Sequence, residues 1–478
     1  MSVLPSLRRF GSLLLLFALL GCQPQSDIRS LTVIYTNDEH GYMEGMREGE
    51  NAATLLQLWR ENLDYQPDGA FLLLSGGDNW TGPAISSWTG GESMTQVMTA
   101  MGYDASAVGN HEFDFGLDTF QLRSAEAGYD YLSANTRWKV SNQVPVDLGI
   151  LPFNLIQVNQ LRVGIIGLTT TSTPYTTNPA YVQELSFTQY EPAVREAYAL
   201  LLQQDPDLVF VIGHVCLREI EPLAAAVADL DIALFGAGHC NELAAKQVGE
   251  SLVVGGGYHF SSYATASFQY DLQQASLVDS NAETHQHQGA ALPPDTGIAA
   301  IIDRWQSQFE DILGEVIAVS EQPISHQGTA LPSAVVQSWL WANPEAHVAI
   351  TNLGGLRAPL PAGEIRLSHL VNLMPFDNSI IALQLSGADL QSAIEQGGRP
   401  VVAGMQRDGN QWIMQHTGEP LEATATYRVL VNSFMYSGGD NFGLLAQADP
   451  EGYDTGVSYR QPFVDWMRNE TDLTSLYE

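Results

Sequence analysis

Short apolar runs, each ending in glycine or a polar residue, recur along the first half of the chain. Six of them, beginning at residues 31, 70, 105, 162, 207 and 232, read LTVIYTND, AFLLLSGGDN, ASAVGNHE, RVGIIGLT, DLVFVIGHV and IALFGAGHC. Their β-branched and leucine content is typical of buried strands, and helical patterns such as EPAVREAYALLLQQ lie between several of them. This alternation predicts an α/β fold with a sheet covered on both faces. Ligands bind beyond the carboxyl ends of such strands, where the polar residues collect here.

A change of composition then divides the chain, whose 478 residues allow two or three domains. The stretch from 273 to 297 is rich in Gln, His and Pro, which predicts a loop or boundary after a first domain over 31–290 and makes its HQH triplet a solvated segment. Apolar residues at helical spacing predict a connecting helix over 296–317. The later segments HVAITN, IIALQL, GADLQSAIEQ and YRVLVNSF predict a second α/β domain over 318–478.

The first residues predict export from the cytoplasm. Arg8 and Arg9 precede an apolar run that ends at LLGC, which is typical of a signal peptide over 1–22. LLGC resembles a bacterial lipoprotein cleavage box, so Cys22 would carry a lipid anchor to the membrane, followed by a tether over 23–30. Gln23 stands where inner-membrane lipoproteins have aspartate, which favours an outer-membrane lipoprotein of the cell envelope. The alternative is a simple secreted protein.

The charge balance excludes one class of partner. The formal net charge is −34, and the chain contains only two lysines. A protein that grips a nucleic-acid polymer through its phosphates needs the opposite balance. A small anionic substrate would need local help from metal ions or a few arginines.

Polar side chains with metal-binding atoms follow the predicted strands. The candidate ligands are Asp38, His40, Asp78, Asn110, His214, His239 and Asn241. Two borderline divalent ions (Zn, Mn or Co) take such a mixture of oxygen and imidazole ligands, with one carboxylate able to bridge them. The two remaining cysteines, Cys216 and Cys240, are each close to a candidate ligand, and the sequence leaves open whether they pair or stay free thiols.

These motifs resemble those of the calcineurin-like metallophosphoesterases, and more narrowly the two-domain periplasmic 5'-nucleotidase and UDP-sugar hydrolase family. The matching segments are YTNDEHG, LLLSGGDNWTG, GNHEFDFG and GHCN, followed in the second half by TNLGGLRAPLPAGEI, LMPFDNSIIALQLSGADL and VNSFMYSGGDNF. The resemblance implies an N-terminal four-layer α/β/β/α sandwich, a connecting helix and a smaller C-terminal α/β substrate domain.

The resemblance also implies roles for residues of the first domain. One metal would be held by Asp38, His40, Asp78 and Asn241, and the other by Asp78, Asn110, His214 and His239. His111 would face the phosphate and stabilise the transition state or protonate the leaving oxygen, while Asp114 would orient it. Asn241 departs from the histidine that is usual at its place, although an amide oxygen can still coordinate; the alternative is that Asn241 only caps a turn. For Asp114 the alternative is a helix-capping carboxylate, a role that can coexist with catalysis.

In the second domain, the resemblance implies a substrate pocket. Phe376 and Phe434 would hold a base between their rings, Asn352 and Asp440 would contact the ribose or line the pocket, and Arg357 would reach the phosphate. The alternative for both phenylalanines is ordinary core packing. Departures from the family pattern are Leu353, Asp377 and the segment SHQGTALPSAVVQSW.

The implied function is metal-dependent hydrolysis of extracytoplasmic nucleotides of the 5'-nucleotidase type. One alternative is a related ester as substrate: a 2',3'-cyclic nucleotide, a nucleotide sugar or a sulfate–thiol ester. Another alternative is a non-catalytic lipoprotein that binds a ligand on the same scaffold. The sequence yields no prediction of oligomeric state.

Overall fold

The computed structural model describes residues 26–47, 49–288, 292–470 and 472–477. The predicted signal peptide, the predicted lipid-anchor site at Cys22 and the first three residues of the predicted tether lie outside the described residues. The first strand begins at Ile28, inside the predicted tether. Within the described residues, no helix combines the length and apolar character needed to cross a membrane.

The strands and helices of the N-terminal domain alternate as the apolar pattern predicts. The strands are β1 (Ile28–Thr36), β2 (Phe71–Ser75), β3 (Ala105–Ala107), β4 (Asp130–Leu132), β5 (Thr136–Trp138), β6 (Ile150–Leu151), β7 (Phe153–Val158), β8 (Leu161–Thr169), β9 (Leu185–Phe187), β10 (Leu208–His214), β11 (Leu234–Ala237), β12 (Leu243–Val248), β13 (Ser251–Gly256), β14 (Ser262–Asp271) and β15 (Ser276–Gln286). The helices are α1 (Ala52–Leu63), α2 (Ala84–Trp88), α3 (Glu92–Met101), α4 (Leu117–Glu126), α5 (Thr173–Thr176), α6 (Tyr190–Leu201), α7 (Leu217–Ala226) and α8 (Thr296–Leu313).

Two large sheets face each other in this domain. The first has the order β15-β14-β1-β2-β3-β4-β6 and the second β12-β13-β11-β10-β8-β7. Pairing is parallel from β1 through β6 and from β13 through β8, while β7, β12, β14 and β15 pair antiparallel at the edges. Buried side chains such as Tyr35, Phe210 and Phe268 fill the space between the sheets, with the two phenylalanine rings 4.9 Å apart.

Helices cover the outer face of each sheet. Leu55 and Trp59 of α1 and Trp305 of α8 pack in the core outside the first sheet. Val194 of α6 and Ile220 of α7 do so outside the second. The predicted four-layer α/β/β/α sandwich is therefore confirmed. Each sheet is apolar on both faces, so one face packs against the other sheet and the outer face packs against the apolar side of amphipathic helices.

The parallel strands end in line, which brings their following loops together. Thr36 of β1 lies opposite Ser75 of β2, and Ser75 lies opposite Ser106 of β3. In the second sheet, His214 at the end of β10 lies opposite Thr169 at the end of β8. The polar residues that follow these strands in sequence therefore meet at one end of the sandwich.

The C-terminal domain is a smaller α/β unit. Its strands are β16 (Val316–Ser320), β17 (Val348–Asn352), β18 (Gly363–Arg366), β19 (Ser379–Ser386), β20 (Pro400–Ala403), β21 (Met405–Asp408), β22 (Gln411–Met414), β23 (Thr426–Asn432) and β24 (Tyr453–Ser458). Its helices are α9 (Ala330–Ala342), α10 (Leu367–Leu373), α11 (Gly387–Gln396), α12 (Ser433–Tyr436), α13 (Leu444–Ala448) and α14 (Gln461–Asn469). A five-stranded sheet of order β20-β17-β23-β19-β24 lies between α9 and α14 on one face and α11 and α13 on the other.

The helix expected to connect the domains ends earlier than predicted. It stops at Leu313 and is capped by Gly314, and β16 begins at Val316, where the prediction still had helix. Ile298 and Trp305 belong to the core of the N-terminal domain, together with Val371 of α10 from the other domain. The helix therefore packs mainly with the first domain and touches the second at its end.

Part of the stretch predicted as a loop or boundary over 273–297 is a strand. β15 occupies Ser276–Gln286 and pairs with β14 at the edge of the first sheet. Most of its side chains are exposed, so it shows no hydrophobic periodicity. His287, the last residue of the HQH triplet, is buried, and its Nδ1 donates to the Phe260 carbonyl at 2.9 Å. The solvated-segment prediction was wrong for this residue.

Candidate active site

The Asp78 carboxylate is the centre of the polar cluster at the strand ends. Its Oδ2 lies 2.9 Å from His214 Nε2, 3.9 Å from His40 Nε2 and 4.0 Å from His111 Nε2. Its Oδ1 accepts a hydrogen bond of 2.8 Å from the His111 backbone N–H. One buried carboxylate is thus shared among three imidazoles, as expected for a bridging ligand.

His214 extends the cluster on the side of the second sheet. Its Nε2 lies 3.1 Å from Asn110 Oδ1 and 3.1 Å from His239 Nδ1. There are two triads, His40–Asp78–His111 and Asp78–His214–His239, and within each triad the three potential ligand atoms lie within 4.8 Å of one another. The structure therefore brings together Asp78, Asn110, His214 and His239 as one group, with His40 beside it.

The hydrogen bonds behind two histidines show that the cluster fits divalent ions. His40 Nδ1 lies 2.8 Å from the Thr81 carbonyl, and His214 Nδ1 lies 2.8 Å from the Gly76 carbonyl. Because a carbonyl only accepts, each Nδ1 carries a proton, and Nε2 is the ring nitrogen left to face the cluster. Backbone carbonyls commonly orient metal-binding histidines in this way.

The two other predicted ligands are less closely engaged. Asp38 is buried, and its Oδ2 accepts from Asn37 Nδ2 at 2.6 Å. Burial raises its pKa to about 7, an effect that the nearby His214 opposes. Asn241 is exposed at the wall of the cavity, beside His239.

Five of the predicted ligands adopt left-handed backbone conformations, with φ between 46° and 70°: Asp38, His40, Asp78, His239 and Asn241. This region costs a residue with a Cβ on the order of 1 kcal/mol, and the cost is smallest for Asn, Asp and His. Each sharp turn re-aims a side chain at the end of a strand. Non-glycine residues elsewhere in the described part of the chain, such as Asn142 and Asp205, also have positive φ, so this conformation is shared by the site but is not confined to it.

Glu112 is an important residue of this region to which the sequence analysis assigned no role. Its buried carboxylate accepts from the backbone N–H groups of Asp78 (2.9 Å), Asn79 (2.6 Å) and Gly109 (2.7 Å). A Cβ on Gly109 would lie 2.2 Å from Asp78 Oδ1, so only glycine fits there. An acid inside the GNHEFDFG segment was visible in the sequence, but two of its three partners, Asp78 and Asn79, are 34 and 33 residues away.

His111 and Asp114 form the predicted pair. His111 Nδ1 lies 2.6 Å from Asp114 Oδ2, and Asp114 Oδ1 accepts from Thr177 Oγ1 at 2.8 Å. Burial would lower the pKa of His111, but the Asp114 and Asp78 carboxylates outweigh it and raise that pKa. Phe376 of the C-terminal domain stacks on the imidazole, with ring centroids 5.7 Å apart.

Burial and neighbouring charges shift the pKa values of His239 and His214 in opposite directions. Burial, aided by the charge of His214, lowers the pKa of His239 to about 3. Burial would lower the pKa of His214, but the carboxylates of Asp78, Asp38 and Glu112 together raise it to about 9. His239 is therefore a neutral nitrogen donor at physiological pH.

The C-terminal domain supplies the opposite wall of the cavity, whose volume is about 280 Å³. All five predicted substrate residues line it: Asn352, Arg357, Phe376, Phe434 and Asp440. Both phenylalanines are half-buried and touch their domain's cores while also facing the cavity, so core packing and pocket lining coexist.

Hydrogen bonds fix part of this wall. Asn352 Nδ2 donates to Asp440 Oδ2 at 2.8 Å, and Asn352 Oδ1 accepts from Asn432 Nδ2 at 3.0 Å. The guanidinium carbon of Arg357 lies 5.9 Å from the centroid of the Phe376 ring. Arg399 lines the same cavity and was missed, because nothing near it in sequence marks it as a site residue.

Comparison with known proteins supports this architecture. Residues 314–447 match the family model of the 5'-nucleotidase C-terminal domain. The chain is 24% identical to a 5'-nucleotidase of Vibrio cholerae, over 93% of this chain and 91% of that protein. It is also 24% identical to the trifunctional nucleotide phosphoesterase protein of Bacillus subtilis over 93% of this chain, but it spans only 34% of that longer relative.

A solved structure shares the fold over nearly the whole chain. The crystal structure of a 5'-nucleotidase precursor from Thermus thermophilus superposes with a TM-score of 0.79 and 24% identity, covering 94% of this chain and 99% of that one. Together with the C-terminal match, this likeness confirms the resemblance to the two-domain 5'-nucleotidase family and its phosphoesterase fold.

Proposed function

We propose that this chain, which has the two-domain fold of the 5'-nucleotidases, is a dinuclear metallophosphoesterase that hydrolyses the phosphate ester of extracytoplasmic nucleotides. One observation carries the proposal. The Asp78 cluster, the His111–Asp114 pair and the aromatic rings of the C-terminal domain all face a single cavity. The residues proposed to hydrolyse the phosphate ester are therefore adjacent to the rings proposed to bind the base.

Two divalent ions (Zn, Mn or Co), held by the seven predicted ligands with Asp78 shared, would supply positive charge for the phosphate and acidify a water molecule. The protein fixes several of those ligands in advance. His40 and His214 are oriented by backbone carbonyls, and Asn110 donates its Nδ2 to the Thr176 carbonyl at 3.1 Å. Little reorganisation is then needed when substrate binds.

His111 has the proposed role of a hydrogen-bond or proton donor to the reacting phosphate. Asp114 accepts from Nδ1, so Nε2 is the ring nitrogen left to act in the cavity. Thr177 holds Asp114 from its other side, which fixes the orientation of the carboxylate. His111 would meet developing charge on a phosphate oxygen or the leaving oxygen.

Phe376 and Phe434 would hold the nucleoside base, since aromatic faces stack on any base with little discrimination. The Asn352–Asp440 pair presents polar groups suited to ribose hydroxyls. Arg357 and Arg399 would contact the phosphate, and they provide positive charge at this cavity in a strongly acidic chain.

The test is hydrolysis by metal-stripped protein after addition of Mn, Co, Zn or Mg, followed as release of inorganic phosphate and, for UDP-glucose and 2',3'-cyclic AMP, as release of the nucleoside monophosphate that forms first. The panel contains nucleoside 5'-monophosphates, UDP-glucose and 2',3'-cyclic AMP, and the control is His111→Ala. Metal-restored release from 5'-monophosphates, lost in His111→Ala, is the expected result. No release across the panel from protein with two bound metals would overturn the nucleotidase proposal and favour a binding role.

A second candidate function, hydrolysis of nucleotide sugars, is favoured by a second cleft of about 510 Å³ that also borders His40. Tyr42 and His259 stack there with centroids 3.8 Å apart, next to Arg357 and Arg399. An aromatic face beside cations suits a sugar attached to a second phosphate. If so, Tyr42→Ala will slow UDP-glucose hydrolysis while leaving 5'-monophosphates unaffected.

We also propose that the protein acts in the cell envelope as an outer-membrane lipoprotein anchored through Cys22. The support is the signal sequence and its LLGC box. Metabolic labelling with radioactive palmitate is expected to mark the wild-type protein and not Cys22→Ser. Absence of label from the wild-type protein would leave a simple secreted protein.

A further inference from the structure

Two cysteines join the loops that carry His214 and His239. Cys216 lies two residues after His214, immediately before α7, and Cys240 directly follows His239. The structure pairs them in a disulfide with a Cα–Cα distance of 5.2 Å, across 24 positions of sequence. The alternative that the sequence left open, two free thiols, does not describe this structure.

Other contacts tie the same two loops together. The backbone N–H of Gly238 donates to the Val215 carbonyl at 3.0 Å, and that of Leu217 donates to Glu242 Oε2 at 2.8 Å. The disulfide lies between these two hydrogen bonds in sequence. The loop that contains His239 is therefore held against the start of α7.

His239 needs such support more than His214 does. The His214 ring is fully buried and donates to a backbone carbonyl. His239 is half-buried, its backbone has φ = 70°, and its Nε2 has a long contact of 3.4 Å with Ser172 Oγ. Asn241, two residues later, also has a left-handed backbone and is exposed.

We propose that the Cys216–Cys240 disulfide is a positioning element of the metal centre, which holds the strained 239–241 loop so that the donor atoms of His239 and Asn241 face Asp78 and His214. The inference rests on the proposed function only in that divalent ions bind this cluster. Neither cysteine touches substrate, so the disulfide acts through the two donors.

The test compares wild-type protein with the double variant Cys216→Ser/Cys240→Ser. Affinity for Zn²⁺ and Mn²⁺ is measured by competition with a chelator, and the Co²⁺-loaded absorption spectrum reports ligand geometry. A supporting hydrogen bond behind a metal ligand is commonly worth 10–100-fold in metal affinity. We expect the affinity of the double variant for Zn²⁺, for Mn²⁺ or for both to fall by about 10–100-fold, and its Co²⁺ absorption spectrum to change.

A matched control separates positioning from general stabilisation. Leu201→Ala removes a fully buried side chain of α6 in the core cluster that also contains Val215 and Leu217. Both variants are expected to lower the Tm of the metal-free protein, but only the cysteine variant should lose metal affinity. Equal affinity in the cysteine variant and the wild-type protein would overturn the proposal.

Reduction of the wild-type protein gives an independent check. Protein that is reduced, alkylated and freed of reagent should match the double variant in metal affinity, and unchanged affinity would contradict the inference. Cys216, Cys240 and Glu242 also have ligand atoms within 4.8 Å of one another. A third equivalent of Zn²⁺ bound by reduced, unblocked protein would instead make the pair a metal site.

The outcomes for the two proposals remain distinguishable. If the double variant loses metal affinity and the wild-type protein hydrolyses no nucleotide, the positioning role stands and the proposed substrate fails. If the wild-type protein hydrolyses nucleotides and the variant keeps its metal affinity, the reverse holds.

Discussion

The two walls of the candidate cleft hold their side chains in different ways. On the N-terminal wall, Asp78, Asn110 and His214 are at most 2% exposed, and each is hydrogen-bonded to the backbone or to a neighbouring ligand. On the C-terminal wall, Arg357 is exposed and Phe376 is half-buried. The first wall is pre-organised, whereas the second combines the hydrogen-bonded Asn352–Asp440 pair with accessible aromatic rings and an exposed arginine.

This difference indicates what each domain contributes to the proposed reaction. A buried, bonded cluster suits charges that must not move when a phosphate reacts. Rings with an exposed face suit a variable part of the substrate, since stacking needs only a plane. Changes on the first wall should therefore alter kcat or metal content, and changes on the second should alter KM.

Asp78→Asn should have the largest effect. It removes the shared negative charge but keeps the shape, so kcat is expected to fall by about 10³-fold or more, with loss of bound metal. Steady-state kinetics and metal analysis measure the two effects, and the far-UV spectrum of the metal-free variant controls for folding. A variant with full metal content and normal kcat would contradict a bridging role.

His111→Ala should come next. The loss of a positioned proton or hydrogen-bond donor is worth about 10²–10⁴-fold in kcat, while metal content should stay at the wild-type level. If this variant loses its metals as well, His111 is a ligand and not the proposed donor.

Thr177→Val should weaken the same pair less severely. The valine leaves Asp114 without its second hydrogen bond, which amounts to about 1 kcal/mol or roughly fivefold in kcat. Thr177→Ser restores the hydroxyl and serves as the control. A serine variant as slow as the valine variant would argue against the hydrogen bond as the cause.

Phe376→Ala and Phe434→Ala test the opposite wall. Each should raise KM for nucleoside 5'-monophosphates by about tenfold, the value of one stacking contact, and leave hydrolysis of p-nitrophenyl phosphate nearly unchanged. Tyr453→Ala, an exposed aromatic change in β24, is the matched control. Loss of kcat on both kinds of substrate would mean that the two walls are not functionally separate.

Asn241→His should have the smallest effect. An imidazole is a better donor than an amide for borderline divalent ions, so metal affinity is expected to rise, by less than about tenfold. Chelator competition measures this change. Unchanged affinity would favour the alternative that Asn241 only shapes a turn.

The fold shows where sequence patterns inform and where they do not. Core strands such as β1, β2 and β10 were evident from their apolar runs, since both of their faces are buried. β15 was missed because it is an edge strand with polar side chains on both exposed faces, which leaves only its backbone pairing to define it. His287 was misplaced for a related reason: its burial depends on Phe260, 27 residues away.

The candidate site also combines features that the sequence predicts with features that it does not. The spacing of His111 and Asp114 already allowed them to meet across one turn. The roles of Glu112, Thr177 and Arg399 could not be read, because their partners come from other elements. Whether Cys216 and Cys240 pair also depended on distance in space, which the adjacency of β10 and β11 supplies.

By itself the sequence determined the kinds of donor atoms, their order along the chain and the strands that carry them. These properties depend only on residue type and on hydrophobic periodicity within short segments. The tertiary structure alone decided which donors share Asp78, which imidazoles are held by carbonyls, and that Phe376 of one domain stacks on His111 of the other. Those relations are set by strand order and packing between segments tens to hundreds of residues apart. A carboxylate can serve as a shared ligand, and a phenylalanine can line a pocket, only when other parts of the chain bury and surround these side chains.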